Sequence, residues 1–210
     1  MELSIIIPSN SEEFLKNTVE DILANTGEET EVIAVLDSKW SNPPLLQHPR
    51  VNVIYVPETI GQRRATNLGA RLSKAKYVAK VDAHCSFDKD FGRKMLDGFK
   101  KVGDNVTMVG VMKNLHVYDF KCYKCGYKVY QDVKPVCPGC GTAMKKKMIW
   151  QPRRGTRSVS YAFDSEPHFQ YFNGYKNTDK YKKDIETGFT ESMSLQGSFW
   201  MMERERYLEY

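Results

Sequence analysis

The sequence predicts an α/β fold built on a mostly parallel sheet. Two observations carry this. Short apolar runs alternate with amphipathic helical stretches through the first half of the chain, and small polar or acidic residues stand just past the ends of those runs. Strands linked through helices return in the same direction, so alternation at this spacing builds a parallel sheet. In such a sheet ligands bind at the carboxyl ends of the strands. The polar residues at those ends are therefore the first candidates for a site.

Taken in order, Leu3–Pro8 is a strand that Pro8 closes. Ser11-Glu12-Glu13 resembles a helix start, a hydroxyl cap followed by acids at the positive end of the dipole. Phe14, Leu15, Thr18, Val19, Ile22 and Leu23 keep helical spacing until Gly27 stops it. Glu31–Leu36 is a second strand, ending at Asp37, and Asn42-Pro43-Pro44 is loop. Val51–Val56 is a third strand, Gly61–Lys74 a helix and Tyr77–Val81 a fourth strand that ends at Asp82. Asp88–Val102 reads as a helix with Phe91, Met95, Leu96 and Phe99 inward, and Val106–Met112 as a further strand. The pattern then breaks. Residues 117–150 are compact, basic and cysteine-rich, and Trp150–Gly188 is polar and aromatic, with short strands and rings such as Phe169 and Phe172. Ser192–Met202 reads as a strand with Gly197 as a bulge or close approach, and Glu203–Tyr210 begins a helix. The expected domain lines are 1–116, an inserted 117–150, and 151–210.

Composition narrows the class. With 41% hydrophobic and 27% charged residues, the chain has the makeup of a soluble globular protein. No apolar run nears the roughly 20 residues that span a bilayer. The start, Met1-Glu2-Leu3-Ser4, lacks a basic segment and a long apolar stretch, so the expectation is a cytoplasmic protein without a signal peptide. The net charge of +5 is unevenly spread: from Lys121 to Arg157 ten basic residues face the single acid Asp132. A basic surface so localised implies an anionic partner.

Five cysteines are present, and four form two Cys-x-x-Cys-Gly knuckles, Cys122/Cys125 and Cys137/Cys140, with eleven residues between them. Paired knuckles at this spacing suit tetrahedral Zn²⁺, with a structural role the first expectation. Lys121, Lys124, Lys128, Lys134, Lys145, Lys146, Lys147, Arg153, Arg154 and Arg157 surround them, interleaved with Tyr123, Tyr127, Tyr130 and Trp150. Cations with aromatic rings suit nucleic acid, the charges meeting phosphate and the rings stacking on bases. Solvated lysines or another anionic partner give the same pattern.

Val81-Asp82-Ala83-His84-Cys85 is the most informative stretch. A carboxylate at a strand end with an imidazole two residues on lets both reach one cation, and that pairing suits Mn²⁺ better than Mg²⁺. A cation there can neutralise the charge that builds on a leaving diphosphate. Cys85 reads as a small buried residue.

Four segments together resemble the family 2 glycosyltransferases and, more narrowly, the polypeptide N-acetylgalactosaminyltransferases. They are Pro8-Ser9-Asn10, Val35-Leu36-Asp37-Ser38, Gly61 to Ala70, and Val81 to Cys85. The later Leu195-Gln196-Gly197-Ser198-Phe199-Trp200 resembles the family's strand beside the donor sugar. The resemblance implies a GT-A fold and a nucleotide-diphosphate sugar donor, a UDP-sugar. By it, Pro8, Ser9 and Asn10 line the nucleotide site, Asp37 contacts uracil or ribose, and Arg64 approaches the nucleotide. Asp82 and His84 hold Mn²⁺ or Mg²⁺, and Gly197 faces the sugar. Leu36 stands where the family usually has an acid, and Thr66 where many members have Arg. The family's acceptor-side acid is expected beyond Tyr210, which leaves the catalytic residue unassigned. The competing expectation is a zinc-ribbon nucleic-acid-binding module on an inactive scaffold of this kind. A nucleotidyltransferase is a third, against which His84 counts.

Overall fold

The structure is a computed structural model and describes residues 1–130, 136–158, 161–171, 173–192, 195 and 197–210. Lys134, Phe172, Gln196 and the side chains of Arg153, Arg154 and Arg157 lie outside the described residues. In chain order the elements are β1 (Leu3–Ser9), α1 (Leu15–Asn25), β2 (Thr30–Asp37), β3 (Val51–Val56), α2 (Gly61–Leu72), β4 (Tyr77–Val81) and α3 (Phe91–Val102). They continue with β5 (Met112–Lys121), β6 (Lys128–Tyr130), β7 (Lys145–Ser158), β8 (Tyr161–Phe163) and β9 (Phe169–Tyr171). A 3-10 turn (Asn173–Asn177), α4 (Asp179–Thr187), β10 (Phe199–Glu203) and α5 (Arg204–Leu208) complete the chain. Two compact units result, Met1–Gly110 with Ser194–Tyr210, and Val111–Met193. Among the described residues no helix is long and apolar enough to cross a membrane.

The first unit holds a five-stranded sheet in the order β10-β4-β1-β2-β3. β1 to β4 run parallel and β10 pairs antiparallel with β4. Side chains alternate across the pleat, so Leu3, Ile5 and Ile7 of β1 enter a core with Leu15, Val19 and Ile22 of α1 and Leu96 and Phe99 of α3. Ile6 points the other way, into a second core with Ile33, Val35, Val78 and Ala65 of α2. β1, β2 and β4 are covered on both faces, which is why they read as apolar runs. Gly69 lets α2 close on the sheet: a Cβ there would stand 2.6 Å from Ile6 Cγ2. Buried Arg50 ties the end of α1 to the sheet, donating from Nη1 to the carbonyls of Gly27 (2.7 Å) and Thr30 (3.3 Å) and from Nη2 to Leu23 O (3.1 Å).

Several elements depart from the sequence reading, each for a local reason. Pro8 lies inside β1, not at its end; pairing with β4 has stopped at Ile6, so the missing N–H of Pro8 breaks no bond on that side. α1 starts at Leu15 rather than at Ser11, whose positive φ of 60° turns the chain first. α3 starts at Phe91 because Asp90 has φ 59°. The strand expected over Val106–Met112 is reduced to one bridge, Met108 with Met201, and β5 begins only at Met112. β10 is confined to Phe199–Glu203, which leaves Gly197 in the turn before it.

The second unit is built on the antiparallel sheet β6-β5-β7, in which Lys121 faces Lys145 and Lys128. β8 and β9 form a separate hairpin. α4 was not expected from sequence. Thr178 caps it, accepting from Tyr181 N at 3.2 Å, and Gly188 ends it with φ 83°.

Candidate functional site

The strand order reverses at β1, with β2 and β3 added on one side and β4 on the other. Open α/β sheets bind ligands at such a reversal, where the loops leaving neighbouring strands part and open a crevice. A cavity of about 210 Å³ opens there, lined by Pro8, Ser9, Asn10, Glu12, Asp37 and Gln62. A larger groove of about 700 Å³ runs along β2 and β3 by Glu31, Asn52, Val53 and Leu72. Its charged side chains are Lys74 and Glu31, and Glu31 already accepts from Ser4 Oγ (2.6 Å) and Asn52 Nδ2 (2.8 Å). The smaller cavity is the candidate site.

Local backbone shapes it. Ser11 and Ser38 both have left-handed φ, 60° and 67°, where β-carbon sterics disfavour any residue but glycine. The turn at Ser11 brings Glu12 to the cavity wall. Buried Asp37 accepts from Ile60 N at 2.7 Å with Oδ1 and from Gly61 N at 2.9 Å with Oδ2, so it anchors the start of α2. That anchoring sets Gln62 on the first helical turn, where its Nε2 donates to Asp82 Oδ1 at 3.3 Å.

The loop after β4 is clamped from α1. Buried Thr18 donates to Ala83 O at 2.9 Å and accepts from Cys85 N at 3.1 Å. Asp21 accepts from Phe87 N (2.6 Å) and Ser86 Oγ (3.0 Å). Burial raises the Asp21 carboxyl above its ordinary value, against those hydrogen bonds. Burial, helped by the Asp82 charge, pushes the Cys85 thiol up to about 12, so it is no nucleophile at neutral pH. Asp82 Oδ1 also accepts from Lys80 Nζ, and Lys80 donates as well to Gly197 O.

Pro8, Ser9, Asn10 and Asp37 thus line one cavity, and Asp82 and Gly197 join it through Gln62 and Lys80. Arg64 is exposed on α2 and does not line it. His84 is exposed, its Nδ1 3.7 Å from Glu12 Oε2. Among the described residues a Cβ on Gly197 would meet nothing within 4 Å. Glu12, Gln62 and Lys80 were missed by sequence reasoning. The donor types on hand, carboxylates of Asp82 and Glu12 and the imidazole of His84, fit a divalent ion. They do not form a tight cluster here, and an ammonium holds one oxygen of Asp82.

The model of glycosyl transferase family 2 matches residues 4–207. The chain belongs to glycosyl transferase family 2. No curated protein sequence gave a significant match. Among solved structures this glycosyltransferase domain is similar to S. aureus TarS, at 18% identity and TM-score 0.40 over 48% of this chain and 20% of that one. It is similar also to TarS 1-349, at 17% identity and TM-score 0.41 over 56% and 41% of the two chains. The same TarS fragment in complex with UDP-GlcNAc gives 19% identity and TM-score 0.41 over 50% and 33%. The family 2 chain therefore spans less than half the length of these relatives.

In the second unit the Sγ atoms of Cys122, Cys125, Cys137 and Cys140 all lie within 4.8 Å of one another, and none is in a disulfide. The knuckles repeat one geometry: Gly126 N donates to Cys122 O (3.0 Å) and Gly141 N to Cys137 O (2.9 Å), with both glycines at positive φ. The hydrogen bond with the Thr142 hydroxyl holds the Cys140 thiol below the ordinary thiol range.

Proposed function

We propose that the first unit binds a nucleotide-diphosphate sugar, a UDP-sugar, in the cavity at the sheet reversal and transfers its sugar. The supporting observation is the convergence there of Pro8, Ser9, Asn10 and Asp37, with Asp82 tied in through Gln62. Family membership supplies the reaction class. In this reading Asp37 holds the start of α2 against the nucleoside end, and Arg64 reaches the nucleotide from the exposed side of α2. In the same reading Gly197, where among the described residues an added Cβ would meet nothing within 4 Å, faces the sugar. Asp82 and His84 hold Mn²⁺ or Mg²⁺, with Glu12 beside His84. The ion, when bound, neutralises charge on the departing diphosphate. The Asp82-Ala83-His84-Cys85 run supports kinship with the N-acetylgalactosaminyltransferase branch. The test is thermal unfolding with UDP. At about a hundredfold excess over Kd, UDP raises the melting temperature by about 5 °C or more, Mn²⁺ adds to the shift, and Asp82→Ala loses the Mn²⁺ increment. A flat response to UDP with and without Mn²⁺ contradicts the reading.

The four cysteines we assign to structural Zn²⁺, as a zinc ribbon. Zn–S bonds of about 2.3 Å in a tetrahedron set sulfurs about 3.8 Å apart, within reach of the clustered thiols. Around them Lys128, Lys121 and Lys145 stand directly opposite one another across three strands. Like charges so placed repel. A sheet that keeps them is built to meet an anion, and Tyr123, 61% exposed, lies beside Lys121 and Lys145 at 5.4 and 5.8 Å. That pairing favours single-stranded nucleic acid as the acceptor or partner. Labelled oligonucleotide should bind at low salt and weaken steeply as salt rises, and Lys121→Gln with Lys145→Gln should weaken it about tenfold. No binding at low salt refutes this. Oligonucleotide binding without any UDP response would favour the inactive-scaffold alternative.

A further inference from the structure

Lys80 is a lysine inside a parallel strand whose other residues are all buried, and it is only 5% exposed. A buried ammonium is tolerated only when paired and hydrogen-bonded. In the extended chain Lys80 and Asp82, two residues apart, project to the same side. Lys80 Nζ donates to Asp82 Oδ1 and to Gly197 O, so it joins the end of β4 to the turn before β10. Among the described residues those two acceptors occupy two of the three ammonium protons. The third remains for an acceptor entering the site.

We propose that Lys80 is a resident cation at the diphosphate end of the site, which competes with divalent metal for Asp82 and supports nucleotide binding when metal is absent. The proposal rests on the donor reading above. It follows from charge placement. A divalent ion on Asp82 must share the carboxylate with an ammonium already hydrogen-bonded to it, and like charges a few ångströms apart in a partly buried site repel strongly. A diphosphate has the opposite requirement, since it gains from every cation already present and desolvated. Without Lys80 the carboxylate of Asp82 would itself repel the phosphates, and a metal would be needed to bridge them.

The test uses Lys80→Met and Lys80→Gln, with circular dichroism to verify folding. UDP-induced thermal shifts are read in EDTA and in Mn²⁺, and Mn²⁺ affinity of the nucleotide-free protein is read by electron paramagnetic resonance. The wild type should keep most of its UDP shift in EDTA. Both variants should lose the shift in EDTA and regain it with Mn²⁺, and should bind Mn²⁺ about tenfold more tightly than the wild type. A wild-type shift abolished by EDTA, or variants that match the wild type in both measurements, overturns the proposal. If neither variant folds, the wild-type EDTA comparison decides alone. A wild type that ignores UDP under every condition removes the donor reading itself, and this inference with it. That outcome is distinct from a shift that appears only with metal.

Discussion

Asp37 accepts two backbone N–H groups that the start of α2 would otherwise leave unpaired. In the sequence it is legible as a polar residue at a strand end, but not as a helix anchor, because Ile60 and Gly61 lie 23 and 24 residues further along the chain, beyond β3. Asp37→Asn keeps one acceptor and turns an amide toward the other N–H. It should lower stability in urea unfolding by about 1–3 kcal/mol, and an unchanged midpoint would show that the anchoring contributes nothing. Lys80 left a signal that was passed over. A lysine in Tyr-Val-Ala-Lys-Val, a run whose residues are all buried, contradicts the strand's own chemistry and so marks a partner. Glu12 left none, since its position depends on the left-handed turn at Ser11, which a serine does not announce.

At the level of elements, β1 to β4 and α1 to α3 were legible because each is short, apolar on a regular period and bounded by turn residues. The boundaries failed where a non-glycine residue takes positive φ, at Ser11 and Asp90, and helix starts moved inward. The helix α4 was missed although Thr178 and Gly188 are sound start and stop signals; none of its residues is buried, so it has no apolar stripe to read. The long pair β5–β7 was hidden because lysines occupy positions on both faces. Arg50 shows a connection between elements that no local pattern contains. It fills the end of α1 with donors for carbonyls that have no helical partner. Arg50→Met removes all of them at a buried position and should cost about 3 kcal/mol, read by chemical denaturation, with amide exchange accelerated first at Leu23–Gly27. A loss well under 1 kcal/mol would mean that water replaces the guanidinium there.

For the molecule as a whole, the sheet reversal at β1 decides where chemistry can sit. Alternating strands and helices in the sequence announce a parallel sheet, but strand order is a tertiary fact, and only the order β10-β4-β1-β2-β3 brings the ends of β1, β2 and β4 together. The same order leaves β3 at an edge beside the larger groove, which therefore competes with the reversal as a place for a ligand. Hydrogen exchange with and without saturating UDP separates the two. The account predicts slowed exchange at residues 9–12, 60–64, 82–87 and 197–199, with Val51–Val56 unchanged. Protection confined to Val51–Val56 and Leu72–Lys74, or protection nowhere, would contradict it.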